Sequence, residues 1–285
     1  MKALILRLKR GPGWLGIIGG TLLALLVLTA LLGPFLDLPD PTRGNLRARM
    51  AEPTWSLFSL GAHPLGTDQL GRDILSRIVA GSRITLLIAC SAVVLGGLVG
   101  TTLGLISGYF GGWFDRILMR LVDVQLALPL MLLALMIVAA LGPSLSNLVI
   151  VLALVSWVRY ARIVRGQVLA VRERDFVQSA RAIGASPARI ILRHILPNVL
   201  TPTLVVATLE LARIIVLEAG LSFIGLGVQP PYPSWGRMLA DGRTYISSAW
   251  WIITFPGLAL MLTVLSVNLL GDCLRDYFDP RLAGR

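Results

Sequence analysis

The chain has 285 residues, 55% of them hydrophobic and only 14% charged, with a mean hydropathy of +0.78. That composition lies outside the range of soluble globular domains. The net charge of +11 does not mark a nucleic-acid binder, because Arg and Lys are not clustered with aromatics on one polar face.

A hydrocarbon core about 30 Å thick takes about 20 helical residues. Six apolar runs suit that length, at 14–36, 84–106, 122–141, 148–165, 197–220 and 251–271, the fourth and fifth with polar or charged residues inside. Residues 1–13 carry Lys2, Arg7, Lys9 and Arg10. A secretory signal has a shorter apolar region and an A-x-A-like cleavage site, and neither is present, so an uncleaved first helix is expected. The 37–83 segment follows, rich in Pro and Gly and carrying Trp55, Phe58 and His63. In the second run, Gly96, Gly97, Gly100 and Gly104 recur three and four apart, which predicts a packing face for another helix. The third run is expected as one helix over 122–141. Asp123 at its inner end is expected to answer Arg116, Arg120 or a helix N-terminus. Gly142-Pro143-Ser144 then breaks the chain before the fourth run, as Gly-Pro does.

With the N-terminus inside, and the inward segments counted as 1–13, 108–120, 159–197 and the part after 271, those segments hold 17 of the 26 Lys and Arg, outward segments hold 8, and Arg213 lies within a span. The positive-inside rule therefore predicts cytoplasmic termini, an external 37–83 segment and a five-helix core over 84–271. The cytoplasmic parts are then 1–13, a loop at 166–197 and 272–285. The basic inner face favours anionic membrane lipid. Cys90 and Cys273 fall on opposite sides of the membrane, as do His63 and His194, so neither a disulfide nor a metal cluster is expected.

The polar loop between the fourth and fifth runs, RERDFVQSARAIGASPARIILRHILP, has an ordered pattern. Phe176, Ala180 and Ile183 fall at i, i+4 and i+7 and predict a short helix with a narrow apolar stripe. Gly184 occupies the position just past that helix, where positive φ is common. Ser186 and Pro187 supply an N-cap and a first-turn proline for a second helix over 187–196, which Pro197 is expected to end. Such a hairpin suits either a headgroup surface or another protein, and the small residues Ala180, Ala182, Gly184 and Ala185 favour the protein.

These residues resemble a motif of ABC importer permeases, E-A-A-x3-G-x9-I-x-L-P, by which those subunits engage their ATPases. Gln178, Ser179 and Ala180 stand at the first three positions, Gly184 at the glycine, and Leu196 and Pro197 at the end. Gln178 replaces the acidic residue and His194 the isoleucine. The similarity extends to the C-type half of the dipeptide, oligopeptide and nickel branch, through His63-Pro64-Leu65-Gly66-Thr67-Asp68, Gly71-Arg72-Asp73-Ile74-Leu75-Ser76-Arg77, Tyr160-Ala161-Arg162 and Glu218-Ala219-Gly220-Leu221-Ser222-Phe223-Ile224-Gly225-Leu226-Gly227. It continues through Asn268-Leu269-Leu270-Gly271-Asp272 and Asp279-Pro280-Arg281-Leu282. The resemblance implies an all-α type I ABC importer permease with six transmembrane helices, in a bacterial or archaeal inner membrane. It also implies a B-type permease partner, two ATP-binding subunits and an external solute-binding protein. Within that resemblance, Phe176, Gln178, Ser179, Ala180, Ile183, Gly184, Ala185, Ser186, Pro187, Leu196 and Pro197 form the coupling loop.

The residues support that division of labour. A phosphate-binding loop needs a lysine in G-K-[ST], and the only lysines are Lys2 and Lys9. ATP and Mg are thus expected on partner subunits, with no cofactor and no catalysis here. Ionisable groups within spans are costly and functional by default. Glu210 and Arg213, at i and i+3 on the fifth span, predict a pair, and Glu218 lies nearer the outer mouth. They are candidates for the translocation pathway, or alternatively a self-satisfied pair and a scaffold residue. A membrane enzyme would want a second carboxylate or His at that depth. An ion-coupled transporter would show inverted repeats, and neither feature is legible. Peptides and nickel chelates both fit the branch.

Overall fold

The computed structural model describes residues 14–55 and 63–278, and its regular structure there is helical, with one isolated bridge between Thr67 and Asp73. Phe58 and the Asp279–Leu282 motif lie outside the described residues. The main helices are α1 (Trp14–Leu32), α2 (Ile74–Phe110), α3 (Gly112–Ala127), α4 (Leu130–Leu141), α5 (Leu145–Arg172), α6 (Asp175–Ala182), α7 (Pro187–Ile190), α8 (Leu196–Phe223), α9 (Trp235–Gly242) and α10 (Trp251–Phe278). Their starts follow side-chain chemistry. The Asp73 carboxylate accepts from the Ser76 N–H at 2.8 Å and starts α2, and the Ser144 hydroxyl accepts from the Asn147 N–H at 3.1 Å and starts α5.

Among the described residues, four helical segments are long and apolar enough to cross a bilayer: Trp14–Phe35, Ile74–Phe110, Leu145–Arg172 and Trp251–Tyr277. The bent pair α3–α4 supplies a fifth if it counts as one span. Six were expected. The remaining helix, α8, is 28 residues long but interrupted by Glu210, Arg213 and Glu218. The third run is not one helix, because α3 and α4 meet at 97°. Pro129 explains the bend. Its ring disfavours helical geometry at the preceding residue, and Leu128 is extended at φ −82° and ψ 139°.

The closest packing joins α2 to α5, through the glycine stripe. A Cβ on Gly104 would lie 2.7 Å from the Ala161 carbonyl and 2.9 Å from Val164 Cβ. One on Gly100 would strike the Trp157 carbonyl and Tyr160 Cβ. Gly97 is different, since its added Cβ would meet only the Tyr160 ring, at 3.5 Å. Close approach thus needs Gly100 and Gly104 but not Gly97. Overpacking costs about 1–3 kcal/mol. Gly100→Leu should therefore lower the melting temperature of the purified complex by several degrees, and Gly97→Ala should leave it unchanged; equal shifts would refute the packing role of the stripe.

A polar knot fastens the start of α2 to the far end of the bundle. Asp68 is buried and accepts from the N–H groups of Leu70 and Arg72 at 2.8 and 2.9 Å, and from Arg72 Nε at 2.6 Å. The buried Arg77 guanidinium lies 3.6 Å from the same carboxylate. Indole N–H groups tie in two further helices: Trp235 donates to the Ile78 carbonyl and Trp251 to that of Thr67, at 3.0 and 3.1 Å. At the other end, Asp115 binds Arg165, with Nη2 to Oδ2 at 2.6 Å, and Asp123 contacts Arg162. Asp123 therefore answers α5 rather than Arg116, Arg120 or a helix N-terminus. The bend at Pro129 leaves it in the body of α3, beside the Arg-bearing face of α5.

Candidate functional site

The loop after α5 is built as two short helices folded against the bundle. Val177 and Ala180 on α6 are buried with Val164, Val168 and Val171 of α5 and Ile190 and Ile195 beyond. The expected stripe of Phe176, Ala180 and Ile183 is thus corrected by about one position. Phe176 faces outward, 6.4 Å between ring centroids from His194, and Ile183 is 85% exposed. The helix spends Val177 on its own core and leaves two large apolar side chains on the surface. Arg174, Arg181 and Arg189 are exposed beside them.

Gly184 closes α6. Its φ is +79°, its N–H donates to the Arg181 carbonyl at 3.0 Å, and the Ala185 N–H donates to the Ala180 carbonyl at 3.1 Å. This is the Schellman arrangement, which satisfies the last carbonyls of a helix and turns the chain sharply. A Cβ on Gly184 would meet nothing within 4 Å, so the glycine is needed for its backbone angle rather than for internal space. Ser186 then caps α7, its hydroxyl accepting from the Arg189 N–H at 3.4 Å, and Pro187 follows in the first turn. Gln178 donates through Nε2 to the Arg172 carbonyl at 3.1 Å and to Glu173 at 3.4 Å, so it clamps α6 onto the end of α5. A carboxylate could not donate to that carbonyl, whereas the amide of Gln can. Ser179 is exposed on the outward side of α6.

Pro197 does not end the second helix. Ile191–Ile195 forms a wide turn of π type and runs directly into α8, where Leu196 and Pro197 occupy the first turn. A proline lacks the N–H for the preceding turn and its ring crowds the carbonyl four residues back. A widened turn relieves both. Helix α7, the widened turn and α8 are consequently one continuous helical run over residues 187–223 with a bulge.

Midway along α5 and α8 lies the second feature. Glu210 is buried, and its Oε1 accepts from Arg159 Nη1 at 3.0 Å and lies 3.5 Å from Arg213 Nη1. The expected pair is therefore a trio, and the nearer cation is Arg159, which sequence spacing could not place across two helices. Glu218, fully buried, accepts from the Ser222 hydroxyl at 2.7 Å; that hydroxyl accepts in turn from the Val228 N–H at 3.0 Å. Glu218 thus shapes the turn after α8 and stands apart from the trio.

The fold agrees with what the chain resembles among known proteins. Residues 100–284 match the family described as binding-protein-dependent transport system inner membrane component. The chain belongs to that family. It is 44% identical over 268 residues, 94% of this chain and 88% of the relative, to the di/tripeptide transport system permease protein DppC of Pseudomonas aeruginosa. It is 40% identical over 282 residues, 99% of this chain and 92% of the relative, to the probable D,D-dipeptide permease DdpC of Escherichia coli. The glutathione permease GsiD of Pectobacterium atrosepticum is 47% identical over 221 residues, 78% of this chain and 73% of the relative. Among solved structures, the inward-facing MetNI methionine ABC transporter shares the fold, with a TM-score of 0.59 at 20% identity over 72% of this chain and 98% of that one. This is an inner-membrane ABC importer permease, a non-catalytic membrane subunit that works beside ATPase and permease partners.

Proposed function

We propose that the chain is the C-type permease half of an ATP-driven importer of di- and oligopeptides. The observation behind this reading is the alignment of nearly the whole chain with relatives named for di- and tripeptides. Glutathione, the cargo named for a third relative, is itself peptidic, which favours peptides over nickel chelates. A B-type permease completes the pathway, two ATP-binding subunits hold ATP and Mg, and an external binding protein delivers cargo. The loop from Phe176 to Pro197 meets an ATPase through Phe176, Ile183 and the basic residues around them, and its rigid continuation into α8 carries ATPase closure to the pathway. Six crossings with both termini inside complete the arrangement, α8 being tolerated within the membrane because its charges face protein or water.

The complex reconstituted in vesicles should take up dialanine only with ATP and loaded binding protein. Uptake without ATPase, or none with every component present, would overturn the reading. Orientation has its own test. With both native cysteines replaced, Leu46→Cys should react with an impermeant maleimide in intact cells and Glu173→Cys only after permeabilisation. The reverse pattern would invert the topology.

A further inference from the structure

Arg159, Glu210 and Arg213 leave a charge unanswered. Arg159 and Glu210 each stand at the middle of a 28-residue helix, and both guanidiniums approach the same carboxylate oxygen. Among the described residues neither arginine has another carboxylate partner. The trio therefore holds one net positive charge at mid-helix. The carboxylate is buried, 4% exposed, while the two cations are 44% and 32% exposed. A half-exposed guanidinium at that depth is not stable against lipid tails, so this surface faces a water-filled path or a partner.

We infer that Arg159 and Arg213 form a transient anion site in the translocation pathway, which takes the side-chain carboxylate of an acidic passing peptide. The inference rests on the peptide reading above. Guanidinium suits the task, because its planar fork binds carboxylates through paired charge-assisted hydrogen bonds. Glu210 makes the site transient. As a resident carboxylate it shares both cations, so an arriving anion exchanges one partner for another of the same chemistry and does not fall into a deep well. A site that must release its cargo needs such weak, competed binding. The rival occupant is a carboxylate of the partner permease, which would make the arginines an assembly contact.

The test uses the full complex in proteoliposomes with saturating binding protein and three cargoes, Ala-Glu, Ala-Ala and Ala-Lys. Arg159→Gln and Arg213→Gln each leave one neutral pair with Glu210, so complex yield should hold. Loss of one charge-assisted contact corresponds to about a tenfold effect. Maximal uptake of Ala-Glu should therefore fall about tenfold, that of Ala-Lys should change least, and Arg159→Lys should recover most of the loss for Ala-Glu. Equal losses for all three cargoes, or no loss, would overturn the site. A fall in yield that accompanies the fall in uptake would assign the arginines to the partner permease and overturn it equally. If the wild-type complex imports none of the three with ATP, the peptide reading itself fails, which is a separate result.

Discussion

Replacing Gly184 by Val should abolish ATP-driven uptake while the permease still accumulates in the membrane. A β-branched residue held at φ +79° is strained by about 1–3 kcal/mol. The two Schellman bonds to Arg181 and Ala180 depend on that angle, and without them α6 loses its fixed placement against α7 and the rod that continues into α8. Nothing inside the chain would collide with the new side chain, so the bundle itself should be undisturbed. Gly184→Asn is the control, because Asn visits the left-handed region several-fold more readily than other residues. At about 1.4 kcal/mol per tenfold, the strain moves the docked loop population by about tenfold to a hundredfold. Uptake in vesicles, with complex yield measured alongside, should rank wild type, then Asn close behind, then Val near background. Val transporting as well as Asn would remove the turn from the mechanism.

Loss of Asp68 should be the most damaging single change to stability. Its carboxylate answers two backbone N–H groups and the Arg72 guanidinium, and it is the nearest anion to buried Arg77. Removing one partner from a buried ionic cluster costs about 3–5 kcal/mol, since the remaining charge stays desolvated. Asp68→Ala should therefore remove most of the recoverable complex from the membrane. Asp68→Asn, which retains an acceptor for the N–H groups, should fall between it and wild type. Thermal unfolding of the purified complex checks the order; an Ala variant melting with wild type would contradict the burial argument.

Much of this was legible because it rests on local chemistry. Ser144, Ser186 and Gly184 announce helix ends by their residue type, and the glycine spacing on α2 announces a packing face. What was not legible depends on tertiary geometry. Phe176 and Val177 are both apolar neighbours on one helix, and only the position of Val164 and Val168 decides which of them turns inward. Arg159 and Glu210 lie 51 residues apart, so no periodicity links them. Arg162 reaches Asp123 for the same reason, since the bend at Pro129 sets where α3 lies along α5. Pro129 itself was a readable signal, masked by the uncharged run around it. Pro197 misled in the opposite direction, because a widened turn lets a proline sit inside a continuous rod.

What covers the outward face of α6 decides whether the loop couples to an ATPase. A photo-crosslinking amino acid placed at Ile183, the most exposed apolar side chain of the loop, reports its neighbour directly. In the assembled complex it should form an adduct with the ATPase subunit, and the yield of that adduct should change when ATP and Mg are added. Adducts with lipid alone, unchanged by nucleotide, would show that the hairpin rests on headgroups and would contradict the coupling role assigned to it.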